Sequence, residues 1–249
     1  MKKQQLATNI SQYTFAPKPK RHFGTSIIAI FNGNKALLID TAYEDQMSEL
    51  LEEFSRDGIE VEKVIVTHFH GDHMEGLKAL PKIPIYGSAR FQETLDRWTA
   101  KEEHVYFTPS ILVDEPLSFT YGEHSLTLIP FPGHSVCTML IKIDDHFLHI
   151  VDELMFSPDG VPLLPSSDGY DMKRHLDSLD KLKSNKGFSI IPGHGPVFSS
   201  DKLSAEIDNR YNYLQALHDS DGFISYEEAT KNCTCTFLYS EWHKYNFKK

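Results

Sequence analysis

A dense group of metal-binding side chains follows an apolar run, where the chain reads Val64-Ile65-Val66-Thr67-His68-Phe69-His70-Gly71-Asp72-His73. In extended backbone alternate side chains point to the same side, so His68 and His70 can hold one ion. Asp72 and His73 follow Gly71, which permits a tight turn, and are expected on the far side of that turn. Imidazole and carboxylate ligands without thiolate suit Zn²⁺, with Fe and Mn as alternatives. The segment therefore predicts a metal site for chemistry, with two ions.

Three further candidate ligands stand shortly after apolar, β-like runs and could complete a dinuclear centre. His134 comes after the run at 125–129, Asp152 after 147–151, and His194 after 188–191. Pro-Gly precedes both histidines; the proline fixes a sharp exit from the strand and the glycine lets the backbone approach a site closely. This repeated order of strand, short loop and ligand predicts that a rigid scaffold holds the three side chains.

The motif Thr-His-x-His-x-Asp-His with these downstream residues resembles the metallo-β-lactamase-fold hydrolase superfamily, over nearly the whole chain. The resemblance implies an α+β fold, a four-layer αβ/βα sandwich with the metals at one edge; periodicity alone predicts only mixed α and β structure. No cysteine occupies a ligand position, so the hydroxyacylglutathione hydrolase-like and lactonase-like branches are more similar than true metallo-β-lactamases.

The resemblance also implies a role for each candidate residue. It implies one metal on His68, His70 and His134, a second on Asp72, His73 and His194, and a bridge between them from Asp152. Asp40, which follows an apolar run at 36–39, is implied to support the metal loop, with an ordinary strand-end aspartate as the alternative. Glu153 is the alternative bridge, although adjacent residues on a strand point to opposite faces. Val151 stands where the family often has glycine.

The expected activity is hydrolysis of a small-molecule thioester, ester or lactone. Two divalent ions set against Asp72, Asp152 and one hydroxide keep a net positive charge, so a metal-bridging hydroxide can exist near neutral pH. By hypothesis this hydroxide attacks the substrate carbonyl, and Asp72 orients it as the catalytic residue. Phe69, Phe156 and Tyr170 are the expected pocket walls, Tyr170 also as a hydrogen-bond donor to an oxyanion. A two-metal phosphodiesterase, an iron-dependent oxidoreductase such as a sulfur dioxygenase, and a non-catalytic metal-binding module stay open as alternatives.

Composition bounds the remaining possibilities. The 249 residues are 40% hydrophobic and contain no linker-like segment, which predicts a single domain over 1–249. The net charge of −10 argues against a nucleic-acid partner, and the basic cluster at 18–22 is expected to be a solvated segment. Without an apolar leader segment or an 18-residue apolar run, we expect a cytoplasmic protein with no membrane partner. The sequence leaves the oligomeric state open.

The apolar pattern also predicts the elements that must position the site. Strands are expected near 24–31, 35–40, 63–67 and 83–86, with helices near 44–56 and from about 74. Apolar residues at helical spacing predict packing helices from Phe91 to Trp98 and from Leu203 to Leu214. Asp171 to Lys183 resembles the helix that precedes the last metal-binding strand in the family, with Leu176, Leu179 and Leu182 as its apolar face. The first two of these helices could also cover a pocket.

Overall fold

The structure, a computed structural model that describes residues 1–246, contains two β-sheets. The first sheet has seven strands, which lie side by side in chain order: β1 (Lys2–Ala7), β2 (Ile10–Thr14), β3 (Ser26–Asn32), β4 (Lys35–Ile39), β5 (Glu60–Ile65), β6 (Ile85–Ser88) and β7 (Ile111–Val113). Its first three strand pairs are antiparallel, whereas β4 to β7 run parallel.

The second sheet has six strands in the order β13-β12-β11-β10-β9-β8. They are β8 (Leu117–Tyr121), β9 (His124–Pro130), β10 (Met139–Ile143), β11 (Phe147–Val151), β12 (Ser189–Pro192) and β13 (Phe198–Ser199). Only the β11–β12 pair of this sheet is parallel.

Seven α-helices are present within the described residues: α1 (Glu44–Arg56), α2 (Gly71–Met74), α3 (Phe91–Trp98), α4 (His104–Phe107), α5 (Met172–Leu182), α6 (Leu203–Asp219) and α7 (Tyr226–Ala229). Short 3₁₀ helices span Glu75–Ala79, Lys101–Glu103, Asp168–Tyr170, Ser200–Lys202 and Ser240–Tyr245. No helix within 1–246 is long and apolar enough to cross a membrane.

Three buried apolar clusters define the layers. Along β4 the side chains alternate, so Leu37 and Ile39 face the other sheet while Leu38 faces outward. The outer face of the first sheet is covered by α1 through residues such as Leu50. The outer face of the second sheet is covered by α5 and α6, through residues such as Leu179 and Leu214. Helix, sheet, sheet and helix therefore follow one another, and the predicted four-layer αβ/βα sandwich is confirmed.

The elements differ from the sequence-based expectation in two places that matter. The hairpin of β1 and β2 was not predicted, and it forms one edge of the seven-stranded sheet. The helix expected from about 74 begins earlier, at Gly71, because His70 is the last residue in extended conformation before the turn. Asp72 and His73 consequently lie in the first turn of α2, directly beside the extended His68–His70 segment.

Candidate metal centre

Each predicted ligand lies beyond the C-terminal end of a strand, and all meet at one edge of the sandwich. The motif residues follow β5, and the downstream ligands His134, Asp152 and His194 follow β9, β11 and β12. Asp40 directly follows β4. The parallel β4–β5 and β11–β12 pairs explain the convergence, since the carboxyl ends of parallel neighbours lie at the same edge of a sheet.

The side chains form two clusters with the composition that the family resemblance implies. In the first, Nδ1 of His70 lies 3.0 Å from Nε2 of His68 and 3.2 Å from Nε2 of His134. In the second, which joins Asp72, His73 and His194, Nε2 of His194 lies 3.3 Å from Oδ2 of Asp72. Within each cluster the potential ligand atoms all lie within 4.8 Å of one another. Each cluster is thus compact enough to surround one ion.

Asp152 occupies the space between the clusters. Its Oδ2 lies 3.4 Å from Nε2 of both His73 and His194, 3.7 Å from Nε2 of His68 and 3.9 Å from Nε2 of His134. One carboxylate therefore reaches both clusters, which is the position that a bridging ligand requires.

Glu153, the alternative bridge, is turned away from the clusters. Its Oε1 accepts a hydrogen bond from the backbone N–H of His134 at 2.8 Å, and its Oε2 accepts one from Ser178 at 2.5 Å. Burial raises the pKa of the Glu153 carboxyl to about 7. Its contacts fix the loop that carries His134, so the alternative of a Glu153 bridge is wrong for this structure.

The donor atoms fit divalent cations. Nε2 of His73, Nε2 of His194 and Oδ1 of Asp152 are buried and have no hydrogen-bond partner. Unpartnered buried polar atoms are costly and call for an explanation, and a ligand ion would satisfy all three. The donors are nitrogen and oxygen, and the three cysteines lie elsewhere as free thiols, a set that suits Zn²⁺, Fe or Mn.

Hydrogen bonds at the opposite ring nitrogens orient three of the imidazoles. Nδ1 of His73 lies 2.7 Å from Oδ2 of Asp40. The other two rings contact backbone carbonyls: Nδ1 of His134 lies 2.7 Å from that of Ser166, and Nδ1 of His194 lies 2.6 Å from that of Gly24. Each acceptor holds a proton on Nδ1 and leaves the Nε2 lone pair directed into the centre.

The electrostatics of the centre match a cation site. Burial alone would lower the pKa of His194, but the Asp152 and Asp72 carboxylates raise it to about 10. Burial alone would raise the pKa of Asp152, yet His194 and His73 hold it well below its usual range. Burial lowers the pKa of His134 to about 4, which keeps this imidazole neutral. The carboxylates are therefore ionised, and their negative charge favours a cation beside them.

Two residues next to the centre have left-handed backbone. Asp40 has a φ of 62°, a conformation that a short polar residue adopts with little penalty. Val151 has a φ of 56°, which is strained for a β-branched side chain. Glycine, which the family resemblance leads us to expect at this position, would adopt the same conformation without this strain.

A cavity of about 770 Å³ opens above the clusters. Its walls include aromatic and charged side chains from distant parts of the sequence, namely Arg21, Phe23, Tyr43, Glu75, Arg97, Trp98, Asp168, Tyr170, Trp242 and Tyr245. Arg21 belongs to the basic cluster that is expected to be a solvated segment. It is exposed, as expected, and it also lines the cavity.

The structure places one of the three predicted pocket residues, Tyr170, on the cavity wall. Phe69 is a wrong prediction: it alternates with His68 and His70, so it points into the core, where its ring lies 5.5 Å from that of Phe91. Phe156 is also wrong, because its ring is buried 5.4 Å from the Phe198 ring.

Asp168 is a site residue that the sequence analysis missed. Its Oδ1 accepts a hydrogen bond from Trp98 at 2.9 Å and forms an ion pair with Arg97 at 2.6 Å. Its Oδ2 lies 3.9 Å from Nε2 of His70. The carboxylate thus joins the wall of the cavity to a predicted ligand. No local pattern signals this role, since α3 and Asp168 are about 70 residues apart in the chain.

Known proteins are similar to this chain in sequence. The "Beta-lactamase-like protein 2 homolog" of Caenorhabditis elegans is 29% identical over 204 residues, which cover 77% of this chain and 62% of the relative. The "Hydroxyacylglutathione hydrolase" of Francisella tularensis subsp. novicida is 27% identical over 197 residues, 75% of this chain and 70% of the relative. The match therefore spans less than two thirds of the nematode protein.

A solved structure supports the fold assignment. The "Metallo-beta-lactamase from Pontibacter korlensis" superposes with a TM-score of 0.70 at 18% identity, covering 84% of this chain and 99% of that one. The sequence profile of the metallo-beta-lactamase superfamily matches residues 21–194, which include every predicted ligand. The chain belongs to the metallo-beta-lactamase superfamily.

Proposed function

We propose that this protein is a dinuclear metal-dependent hydrolase that cleaves the carbonyl group of a thioester, ester or lactone. The observation that carries the proposal is the position of Asp152, whose Oδ2 lies within 3.9 Å of imidazole nitrogens from both clusters. The named relative that acts as a hydroxyacylglutathione hydrolase supports an acyl substrate. Zn²⁺ is the proposed metal, with Fe and Mn as alternatives.

His68, His70 and His134 would hold one ion, Asp72, His73 and His194 the other, and Asp152 would bridge them. When bound, two such ions polarise a carbonyl oxygen and lower the pKa of a coordinated water to about 7. The chain itself supplies a pre-oriented site, because His68, His73 and His194 are almost fully buried and their rings are held in place.

Asp72 is the proposed catalytic residue. It lies on the cavity wall, and its Oδ2 is 3.3 Å from Nε2 of His194. From this position its carboxylate can accept a hydrogen bond from the attacking water and orient it toward the substrate carbonyl. Tyr170, whose side chain is partly exposed on the same wall, is the proposed donor to the developing oxyanion.

Turnover of p-nitrophenyl acetate, an aryl thioacetate, γ-butyrolactone and bis-p-nitrophenyl phosphate by the metal-reconstituted protein tests the proposal. We expect turnover of at least one carbonyl substrate, and a fall in kcat of about 10²–10⁴-fold in Asp72→Asn at matched metal content. Tyr170→Phe should lower kcat by a smaller factor and leave metal content unchanged. Turnover of the phosphodiester alone, or wild-type kcat in Asp72→Asn, would overturn it.

A further inference from the structure

One cation on the cavity wall, the exposed side chain of Arg21, has no ion-pair partner in the described part of the chain. Arg97 is paired with Asp168 at 2.6 Å, but Arg21 forms no salt bridge with any residue in 1–246. The carboxylate of Glu75 also lines the cavity, and the cations that act on it are Lys78 and Lys18. A guanidinium that faces a ligand cavity without a carboxylate partner is well suited to bind an oxyanion, since its planar fork matches carboxylate geometry.

Arg21 is held one aromatic ring away from the metal centre. Its guanidinium carbon lies 5.4 Å from the centroid of the Phe23 ring, and the Phe23 centroid lies 4.5 Å from that of His194. The segment is fixed at both sides, because the Gly24 carbonyl accepts from His194 and the backbone N–H of His22 donates to the hydroxyl of Tyr239. An anion bound at Arg21 would therefore be separated by several bonds from a carbonyl at the metal centre.

The rest of the cavity opening is aromatic and exposed. Trp98 is 60% exposed, Tyr245 63% and Tyr170 47%, although large aromatic side chains gain most when buried. Trp242 adds another ring and is fixed by stacking on Tyr239, with centroids 4.1 Å apart. Trp242 and Tyr245 lie outside the stretch that matches the family profile. This part of the wall is aromatic, and it fits the apolar body of a ligand.

We propose that the cavity selects acyl substrates that join an apolar body to a remote oxyanion such as a carboxylate, and that Arg21 binds this oxyanion. The inference rests on the proposed function, because that function places the scissile carbonyl of the substrate at the metal centre. It does not depend on turnover for its test, because the two tryptophans of the chain, Trp98 and Trp242, both line the cavity and report binding directly.

The test measures quenching of tryptophan fluorescence by two non-hydrolysable ligands, adipic acid monoanilide and hexanoic anilide. They share the anilide and the carbon chain length, and only the first has a remote carboxylate. We expect the wild-type, metal-loaded protein to bind the anionic ligand about five- to tenfold more tightly, the scale of one partly exposed charge-assisted contact. Arg21→Gln should abolish this preference. Lys20→Gln, which removes a neighbouring exposed charge outside the cavity wall, should keep it.

Three results would overturn the inference: equal affinities for the two ligands in the wild type, a preference that persists in Arg21→Gln, or no binding of either. The second would mean that the carboxylate sits on the metal centre instead. The p-nitrophenyl esters of the same two acids separate this inference from the proposed function. A binding preference without turnover of either ester contradicts the hydrolase proposal alone, whereas equal turnover of both with no binding preference contradicts the Arg21 site alone.

Discussion

Asp40 holds His73 through a short contact, 2.7 Å between its Oδ2 and the imidazole Nδ1. The same carboxylate accepts from the backbone N–H and the hydroxyl of Thr67, both at 2.8 Å. It therefore connects the start of the motif to a ligand in the first turn of α2. Nε2 of His73 is left to face Asp152 at 3.4 Å.

Asp40→Asn should weaken metal binding without unfolding the protein. Asparagine tolerates the φ of 62° at this position, but it has one acceptor oxygen where aspartate has two. When this oxygen accepts from the backbone N–H of Thr67, the amide N–H₂ faces His73 and cannot accept its Nδ1 proton. The imidazole would then favour the tautomer with a proton on Nε2, so the affinity of the cluster with Asp72, His73 and His194 should fall about 10- to 100-fold. Competition with a chromophoric chelator measures this affinity.

A matched control exists elsewhere in the chain. Asp144 also has a positive φ, 54°, and also contacts a histidine, His124, through Nδ1. This pair lies outside both clusters, so Asp144→Asn should leave the metal affinity unchanged. Equal loss of affinity in both variants, or none in Asp40→Asn, would contradict the supporting role of Asp40.

Glu153 should prove structural. In Glu153→Ala the buried N–H of His134 loses its acceptor, so the free energy of unfolding should fall by about 1–3 kcal/mol, measured by urea denaturation. Glu153→Gln keeps an oxygen for this bond and should cost less, and it should retain both metals. The opposite result would restore Glu153 as the bridge: one metal ion per chain in Glu153→Gln and two in Asp152→Asn.

The strain at Val151 predicts an unequal response to glycine. Val151 and Val64 are both fully buried, but only Val151 has a positive φ. Both substitutions remove a buried side chain and make the unfolded backbone more flexible, which lowers the free energy of unfolding. Val151→Gly in addition removes the strain of a left-handed conformation, about 1–2 kcal/mol, which partly offsets this loss. Val151→Gly should therefore destabilise the protein by about 1–2 kcal/mol less than Val64→Gly in thermal or urea unfolding. Equal losses would show that the backbone at Val151 is not strained.

The sequence predicts local geometry well and long-range contacts poorly. The placement of His68 and His70 on one side follows from the alternation of extended backbone, and the same rule sends Phe69 into the core. The bounds of α1 are confirmed residue for residue, because its apolar stripe and its position between polar turns are local features. The four-layer fold required the family resemblance in addition to the pattern.

The parts that were missed depend on contacts between distant segments. Asp168 meets Trp98 across 70 residues, and Gly24 meets His194 across 170. The place of Arg21 on the cavity wall depends in turn on Tyr239, more than 200 residues further along. Such contacts leave no periodic signal in a single sequence. The ligand motif could therefore be predicted from the sequence, whereas the walls of the pocket could not.

The central claim, a centre that holds two metals, is tested most directly by elemental analysis. The measurement is moles of Zn, Fe and Mn per chain after reconstitution and removal of loosely bound ions by gel filtration. The two clusters joined by Asp152 predict two metal ions per chain. A single ion, such as one iron per chain, or none, would contradict the dinuclear centre.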